Sequence, residues 1–136
     1  MSHQSPYGAL RQYQNAATVA AVSADIPPHK LIDMLLTGAL DRLNMAKGCI
    51  VAGETQHKLQ LFASAIAIVE HLRVCLDHQA GGEIAKNLDA LYEYIGRRLL
   101  KANLDNDTAI ADEAIELLKI IKAAWDEVPG PPRLQH

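Results

Sequence analysis

The chain has 136 residues, of which 49% are hydrophobic and 4% aromatic, and its formal net charge is −3. This length predicts one domain with a core of its own, and the nearly balanced charge excludes a basic surface for nucleic acid or anionic lipid. No apolar run approaches the roughly 20 residues of a membrane-spanning helix, and a basic-then-apolar signal segment is absent. Two cysteines are too few for a disulfide framework, so we expect a cytoplasmic protein. From the charge and the length of the apolar runs, we expect no nucleic-acid partner and no membrane insertion.

The chain opens with residues 1–26, whose apolar spacing predicts one short helix. Four stronger segments follow, each with apolar residues every three or four positions, and no strand-like alternation of comparable strength competes with them. Residues that break helices, mainly proline and glycine, separate these segments. The four predicted helices cover residues 28–52, 55–80, 83–102 and 107–128, and residues 129–136 form a tail that we expect to be disordered.

The residues at the predicted helix ends support these boundaries. Gly53 suits the left-handed position after the first helix, and Asn103 suits the same position after the third. Thr55 and Asp107 are the predicted N-caps of the second and fourth helices. Because the connections are short, the predicted fold class is all-α: an elongated, antiparallel up-down four-helix bundle over residues 27–128, with the short N-terminal helix packed on it.

The predicted helices carry more large apolar side chains than one core-facing stripe requires. Leu31, Met34 and Leu35 flank the stripe of the first helix, and Ile115 and Leu118 flank that of the fourth. Several such side chains left in water would favour association, because burying one Leu or Ile contributes about 1.5–3 kcal/mol. One interpretation is a wide core stripe with the N-terminal helix docked on it. The other is a groove that binds a partner helix.

A metal site has one candidate in the sequence. His71, Cys75 and His78 have i, i+4, i+7 spacing, which would place three ligands on one face of a helix. A partly buried cysteine beside two surface histidines explains the same spacing. Glu54 and His57 form a Glu-x-x-His element, but a di-iron bundle needs two such elements and carboxylates in the core. The sequence therefore predicts no metal and no cofactor, with a metal-binding bundle as an alternative function.

Histidine phosphotransfer is the other alternative for a four-helix bundle. Such a domain exposes one histidine followed by small and basic residues, which leave room for a receiver domain. His57 and His71 are each followed by larger side chains, without the glycine that lets a partner approach closely. No nucleophile, base and orienting group come together in the sequence, which predicts that the protein is not an enzyme.

Residues 81–107 resemble the signature stretch of the FliS family of flagellin export chaperones; they read GGEIAKNLDALYEYIGRRLLKANLDND. The matching elements are Leu-Tyr-x-Tyr, Arg-Arg-Leu and Ala-Asn-x-x-Asn-Asp. The similarity extends from Leu10 to Trp125, since the start of the first predicted helix and the Ala-Trp pair of the last also resemble the family. Two positions depart from the pattern: Pro27 stands where a Ser or Thr cap is usual, and Gly96 replaces a residue that is often bulky.

The resemblance implies a cytoplasmic chaperone that binds the disordered C-terminal region of flagellin. It would prevent premature polymerisation of flagellin and assist its delivery to the flagellar export machinery. Ordering the client costs free energy, which its apolar contacts must exceed. By the same resemblance, residues 7–19 lie over part of the groove and compete with the client.

Seven residues are predicted to bind the client. Five are apolar residues that lie outside the core stripes, and two are tyrosines of the N-terminal segment. A charge at Leu31 or Leu118 is expected to abolish flagellin binding and to leave the fold intact. The sequence leaves open whether the chain forms a homodimer without its client. The predicted client-binding residues are Tyr7, Tyr13, Leu31, Met34, Leu35, Ile115 and Leu118.

Overall fold

The computed structural model describes residues 26–129, which contain four α-helices and no β-strand. Within that range, residues 26–32 belong to one compact unit and Asp33–Pro129 to another. The predicted all-helical class is therefore confirmed, while the predicted N-terminal helix and the tail beyond Pro129 lie outside the described residues. The helices are α1 (Pro28–Ala52), α2 (Thr55–Val74), α3 (His78–Asp105) and α4 (Thr108–Glu127).

Gly53 ends α1 as predicted, with a φ of +74° in the left-handed region that favours glycine. The N–H of Gly53 donates to the Ile50 carbonyl at 3.3 Å, and the N–H of Glu54 donates to the Cys49 carbonyl at 2.9 Å. These are the two hydrogen bonds of a Schellman motif. The motif turns the chain within two residues, so that α2 begins at Thr55. The predicted N-cap is wrong by one residue: Glu54 holds that position, and its side chain makes no capping hydrogen bond.

The boundary between the second and third helices lies earlier than predicted. Helix α2 ends at Val74 and α3 begins at His78, because Asp77 caps two N–H groups in the first turn of α3 at 3.0 and 3.1 Å. The glycine pair at 81–82 lies inside α3, where Gly82 interrupts the helix with φ 51° and ψ −123°. The glycines mark a real break in helical geometry, but the capping carboxylate decides where the new helix starts.

Helix α3 continues one turn beyond its predicted end. Asn106, and not Asn103, takes the left-handed conformation, with a φ of 51°. A short polar side chain tolerates that conformation better than a bulky one. Asp107 caps α4 as predicted, since its Oδ1 accepts hydrogen bonds from two backbone N–H groups of the first turn at 2.9 and 3.1 Å.

The core of the helical bundle follows the predicted stripe on α1 and extends beyond the predicted stripe on α4. Leu36 and Leu43 are fully buried, as the spacing on α1 predicts. On α4, Ile115 and Leu118, which we expected beside the core, are themselves core residues. The core face of α4 is therefore wider than predicted, because the predicted stripe residues Ile110, Ala114 and Ile121 are buried as well. Helix α2 packs against α3, and α3 packs against α4. None of the helices in the described range is long and apolar enough to span a membrane.

Candidate functional site

Five of the seven predicted client-binding residues lie in the described range, and they differ in accessibility. Met34 is 42% exposed and Leu35 is half-buried, whereas Leu31, Ile115 and Leu118 are 8%, 5% and 0% exposed. Because burying an unpaired charge is costly, a charge at Leu31 or Leu118 would destabilise the fold before it tested binding. The expectation that such variants stay folded is corrected by this burial.

Two predicted positions, Tyr7 and Tyr13, lie outside the described residues, as does residue range 7–19 that we expect to compete with the client. Their proposed role stays a prediction from the family resemblance.

Two ion pairs place α1 beside α4. The Nζ of Lys122 lies 3.1 Å from the Asp33 carboxylate, and Lys47 pairs with Asp112. The first pair connects the start of α1 with the end of α4, and the second connects the opposite parts of the two helices. Met34 follows Asp33 directly, so an exposed apolar side chain of α1 lies in the segment that borders α4.

Large apolar side chains stay exposed on each of the four helices. Single exposed apolar residues are normal on a protein surface, and only neighbouring ones indicate a binding surface. On α1 and α4, Met34 and Ile120 are 42% and 64% exposed. Residues one or two positions apart on a helix point in different directions, so the ion pair of Asp33 with Lys122 does not place these two side chains on one surface. Exposed apolar side chains are therefore present, but Met34 is the only one of the five predicted flank residues among them. The exposed set includes Met34, Met45, Leu59, Leu100, Leu104 and Ile120.

The tyrosine-arginine part of the signature stretch connects α3 with α4. The hydroxyl of Tyr94 donates to one carboxylate oxygen of Glu113 at 2.6 Å, and the Nε of Arg98 donates to the other at 2.8 Å. Both hydrogen bonds lower the pKa of Glu113, and the one from Tyr94 has the larger effect. Tyr92 is 3% exposed, and burial raises the pKa of its hydroxyl to about 12. These signature residues stabilise the contact between helices and form part of the core.

The Asn-x-x-Asn part of the signature contacts a residue that sequence reasoning missed. Lys58 in α2 is 5% exposed, and its Nζ donates to the Asn103 carbonyl at 2.9 Å and to the Asn106 side-chain oxygen at 2.7 Å. A lysine in a helix normally indicates a solvated face, so periodicity gave no reason to place it in the interior. The available signal was the end of the third helix, where the last carbonyls have no partner within the helix and can accept a hydrogen bond from a lysine.

The candidate metal-ligand triad of the sequence is not on one helix. Cys75 is the C-cap of α2 and His78 is the first residue of α3, so the i, i+4, i+7 spacing from His71 does not describe a single helical face. The spacing was misleading because the predicted second helix extended through the Asp77 cap.

A different set of three potential metal ligands meets at the turn between α1 and α2. The Sγ of Cys49, a carboxylate oxygen of Glu54 and the Nδ1 of His57 lie within 4.8 Å of one another. In the sequence, Glu54 and His57 together match only one half of a di-iron pattern. Helical spacing gave no reason to add Cys49, because the turn that brings the three side chains together lies between two helices.

Comparison with known proteins agrees with the family signature. Residues 9–131 match the family described as flagellar protein FliS. The flagellar secretion chaperone FliSB of Pseudomonas aeruginosa is 44% identical over 120 residues, which cover 88% of this chain and 94% of that protein. The flagellar secretion chaperones FliS of Vibrio cholerae and Salmonella typhimurium are each 38% identical, over 122 and 128 residues. Those alignments cover 90% and 93% of this chain and 89% and 94% of the two relatives. The chain therefore belongs to the FliS family of flagellar secretion chaperones.

Proposed function

We propose that this chaperone binds the disordered C-terminal region of flagellin in the cytoplasm. Binding keeps flagellin from polymerising prematurely and assists its delivery to the flagellar secretion apparatus. The observation that carries the proposal is the family match over residues 9–131, which includes the signature stretch at the contact between α3 and α4.

The exposed Met34 and the half-buried Leu35 next to it support a docking surface for the client on α1. A disordered segment that folds into an amphipathic helix would bury its apolar anchors against these two side chains. The contribution of the buried Ile115 and Leu118 requires a rearrangement that exposes them, whereas that of Met34 requires none. Tyr7 and Tyr13 keep their proposed role in the segment that competes with the client.

The contacts also support the up-down order of neighbouring helices. Lys58, early in α2, contacts Asn103, late in α3, whereas Arg73, late in α2, pairs with Asp89 in the first half of α3 at 3.0 Å. Contacts that run in opposite order along two helices are those of antiparallel neighbours. The two ion pairs between α1 and α4 run in opposite order as well.

Complex formation with flagellin tests the proposed function directly. The purified chain is mixed with flagellin, or with flagellin that lacks its C-terminal region, and the complexes are separated by size-exclusion chromatography. We expect a 1:1 complex with the intact protein and none with the truncated one. Equal binding to both forms would contradict the proposal. The elution volume of the chain alone reports whether it forms a homodimer without client.

The variant Met34→Glu tests the proposed docking surface. Losing the burial of one Met side chain removes about 1.5–3 kcal/mol, so the affinity for flagellin should fall by roughly 10- to 100-fold. Leu59→Glu on α2 is the matched control, because Leu59 is 44% exposed, close to the 42% of Met34, and lies outside the predicted set. Isothermal titration gives both affinities, and circular dichroism checks the fold. Equal losses in both variants would place the docking surface elsewhere.

A further inference from the structure

The turn between α1 and α2 brings three groups of different chemistry to one point. The Sγ of Cys49 lies 3.7 Å from the Oε1 of Glu54 and 3.5 Å from the Nδ1 of His57. The same two atoms of Glu54 and His57 are 3.9 Å apart. A thiol, a carboxylate and an imidazole therefore form a nearly equilateral triangle of potential ligand atoms.

The backbone holds this triangle in place. Cys49 lies in the last turn of α1, Glu54 is the N-cap of α2 and His57 lies in the first turn of α2. The hydrogen bond from the Glu54 N–H to the Cys49 carbonyl, part of the Schellman motif, fixes the first two residues relative to each other. The Glu54 carboxylate makes no capping hydrogen bond to α2. It lies beside the Cys49 thiol.

The triangle has the dimensions of a zinc site. With Zn–S near 2.3 Å and Zn–N and Zn–O near 2.0–2.2 Å, a tetrahedron has S···N and S···O edges of roughly 3.5–3.6 Å and an N···O edge of roughly 3.4 Å. The observed separations of 3.5, 3.7 and 3.9 Å need only a small inward movement of Glu54 and His57. Both side chains have the freedom for it, since they are 61% and 55% exposed. We propose that Cys49, Glu54 and His57 bind one zinc ion, with a water molecule as the fourth ligand.

The chemistry of the three groups favours zinc over harder cations. A thiolate and an imidazole are ligands that Zn²⁺ prefers, whereas Mg²⁺ and Ca²⁺ select sites made of oxygen atoms alone. Zinc binding forms a Zn–S bond and releases the Cys49 thiol proton to solvent, while His57 coordinates through Nδ1 and carries its proton on Nε2. Without metal, burial and the charge of Glu54 raise the pKa of the Cys49 thiol, which stays protonated and donates to Glu54.

Direct titration with zinc tests this site. The untagged, reduced full chain is titrated with Zn²⁺ alone in competition with a chromophoric chelator, and Co²⁺ serves as a spectroscopic substitute. We expect one ion per chain, a cobalt–thiolate charge-transfer band and a melting temperature that rises with zinc. His57→Gln and Cys49→Ala should each weaken binding by at least about tenfold and remove the zinc-dependent rise in melting temperature.

The control variants for the zinc titration change residues of the other candidate triad, which does not lie on one helix. Cys75→Ser and His71→Gln should bind zinc as the parent chain does, because Cys75 is an exposed free cysteine in a different turn. His57→Gln changes an exposed side chain, so it separates loss of zinc from any unfolding caused by substituting the buried Cys49. Zinc binding that survives His57→Gln, that is lost in Cys75→Ser, or that is absent in the parent chain would overturn the proposal. None of these outcomes depends on flagellin binding.

Discussion

At the scale of single residues, the Lys58 ammonium joins α2 to the end of α3. It donates to the Asn103 carbonyl and to Asn106, the residue whose left-handed conformation ends α3. Lys58→Met keeps the apolar stem and removes both hydrogen bonds, leaving acceptors near the interior without their donor. We expect the free energy of unfolding to fall by about 1.5–3 kcal/mol, the usual contribution of hydrogen bonds to a charged group.

Urea unfolding of Lys58→Met beside Lys86→Met checks this expectation. Lys86 is an exposed lysine of α3, so its substitution should change the free energy of unfolding by no more than about 0.5 kcal/mol. Similar losses in the two variants would show that the contacts of Lys58 with the asparagines add no stability. Lys58 and Tyr92 are both buried, although lysine is usually exposed and tyrosine is often only partly buried. The residue type alone therefore does not predict their burial.

At the scale of elements, one glycine ends a helix and another lies inside one, so replacing each by alanine should change the stability in opposite directions. Gly53 has a φ of +74°, so Gly53→Ala should destabilise the protein by about 1–2 kcal/mol through backbone strain alone, since an added Cβ meets no atom within 4 Å. Gly96 lies inside α3 and also has free space around its Cβ position. Gly96→Ala should therefore stabilise the protein by about 0.5–1 kcal/mol. Thermal melts of both variants give the signs, and a stabilised Gly53→Ala would contradict the Schellman turn.

The contact between α3 and α4 gives the stability a predicted dependence on pH. Tyr94 and Arg98 hold the pKa of Glu113 below its ordinary value of 4.5, so the folded state favours the carboxylate. This stabilisation is complete above about pH 4.5 and is lost as the pH falls through the lowered pKa of the folded state. Glu113→Gln should be less stable than the parent chain at pH 7, and the difference should shrink below pH 4.5.

Chemical unfolding at a series of pH values measures that difference. Glu116→Gln on the same helix is the control, because Glu116 is 65% exposed and its ion pair is with Lys119 of α4. An exposed pair of this kind contributes little, so its effect on stability should be small throughout. A Glu113→Gln effect that stays constant from pH 7 into the acid range would mean that the carboxylate charge is not what Tyr94 and Arg98 stabilise.

At the scale of the whole molecule, α4 separates core from surface within a few residues. Leu118 is fully buried, whereas Ile120, two positions later, is 64% exposed. Leu118→Ala should cost about 2–5 kcal/mol through lost burial and the cavity left behind. Ile120→Ala should change the stability by about 0.5 kcal/mol or less. Thermal unfolding measures both effects. A loss of stability in Leu118→Ala as small as that in Ile120→Ala would show that Leu118 is not part of the cooperative core, and would favour the flank position that the sequence predicted.

The same comparison shows where prediction from sequence reached its limit. The apolar spacing on α4 identified Ile115 and Leu118 as important, but it assigned them to a client-binding flank. Helical periodicity defines an apolar face to within about one residue on either side, and the rotation of a helix about its axis depends on what packs against it. Met34 is the most exposed of the five predicted client-binding residues in the described range, and its role in client binding stays a prediction.

The sequence by itself determined the helical class, the Gly53 and Asp107 helix ends and the family signature. Each of these depends on residues close together in the chain, because capping, left-handed turns and apolar spacing are local properties of the backbone. Tertiary structure decided the buried position of Lys58 and the burial of Ile115 and Leu118. Those positions depend on how the helices rotate against one another, which the spacing of residues along one helix does not encode.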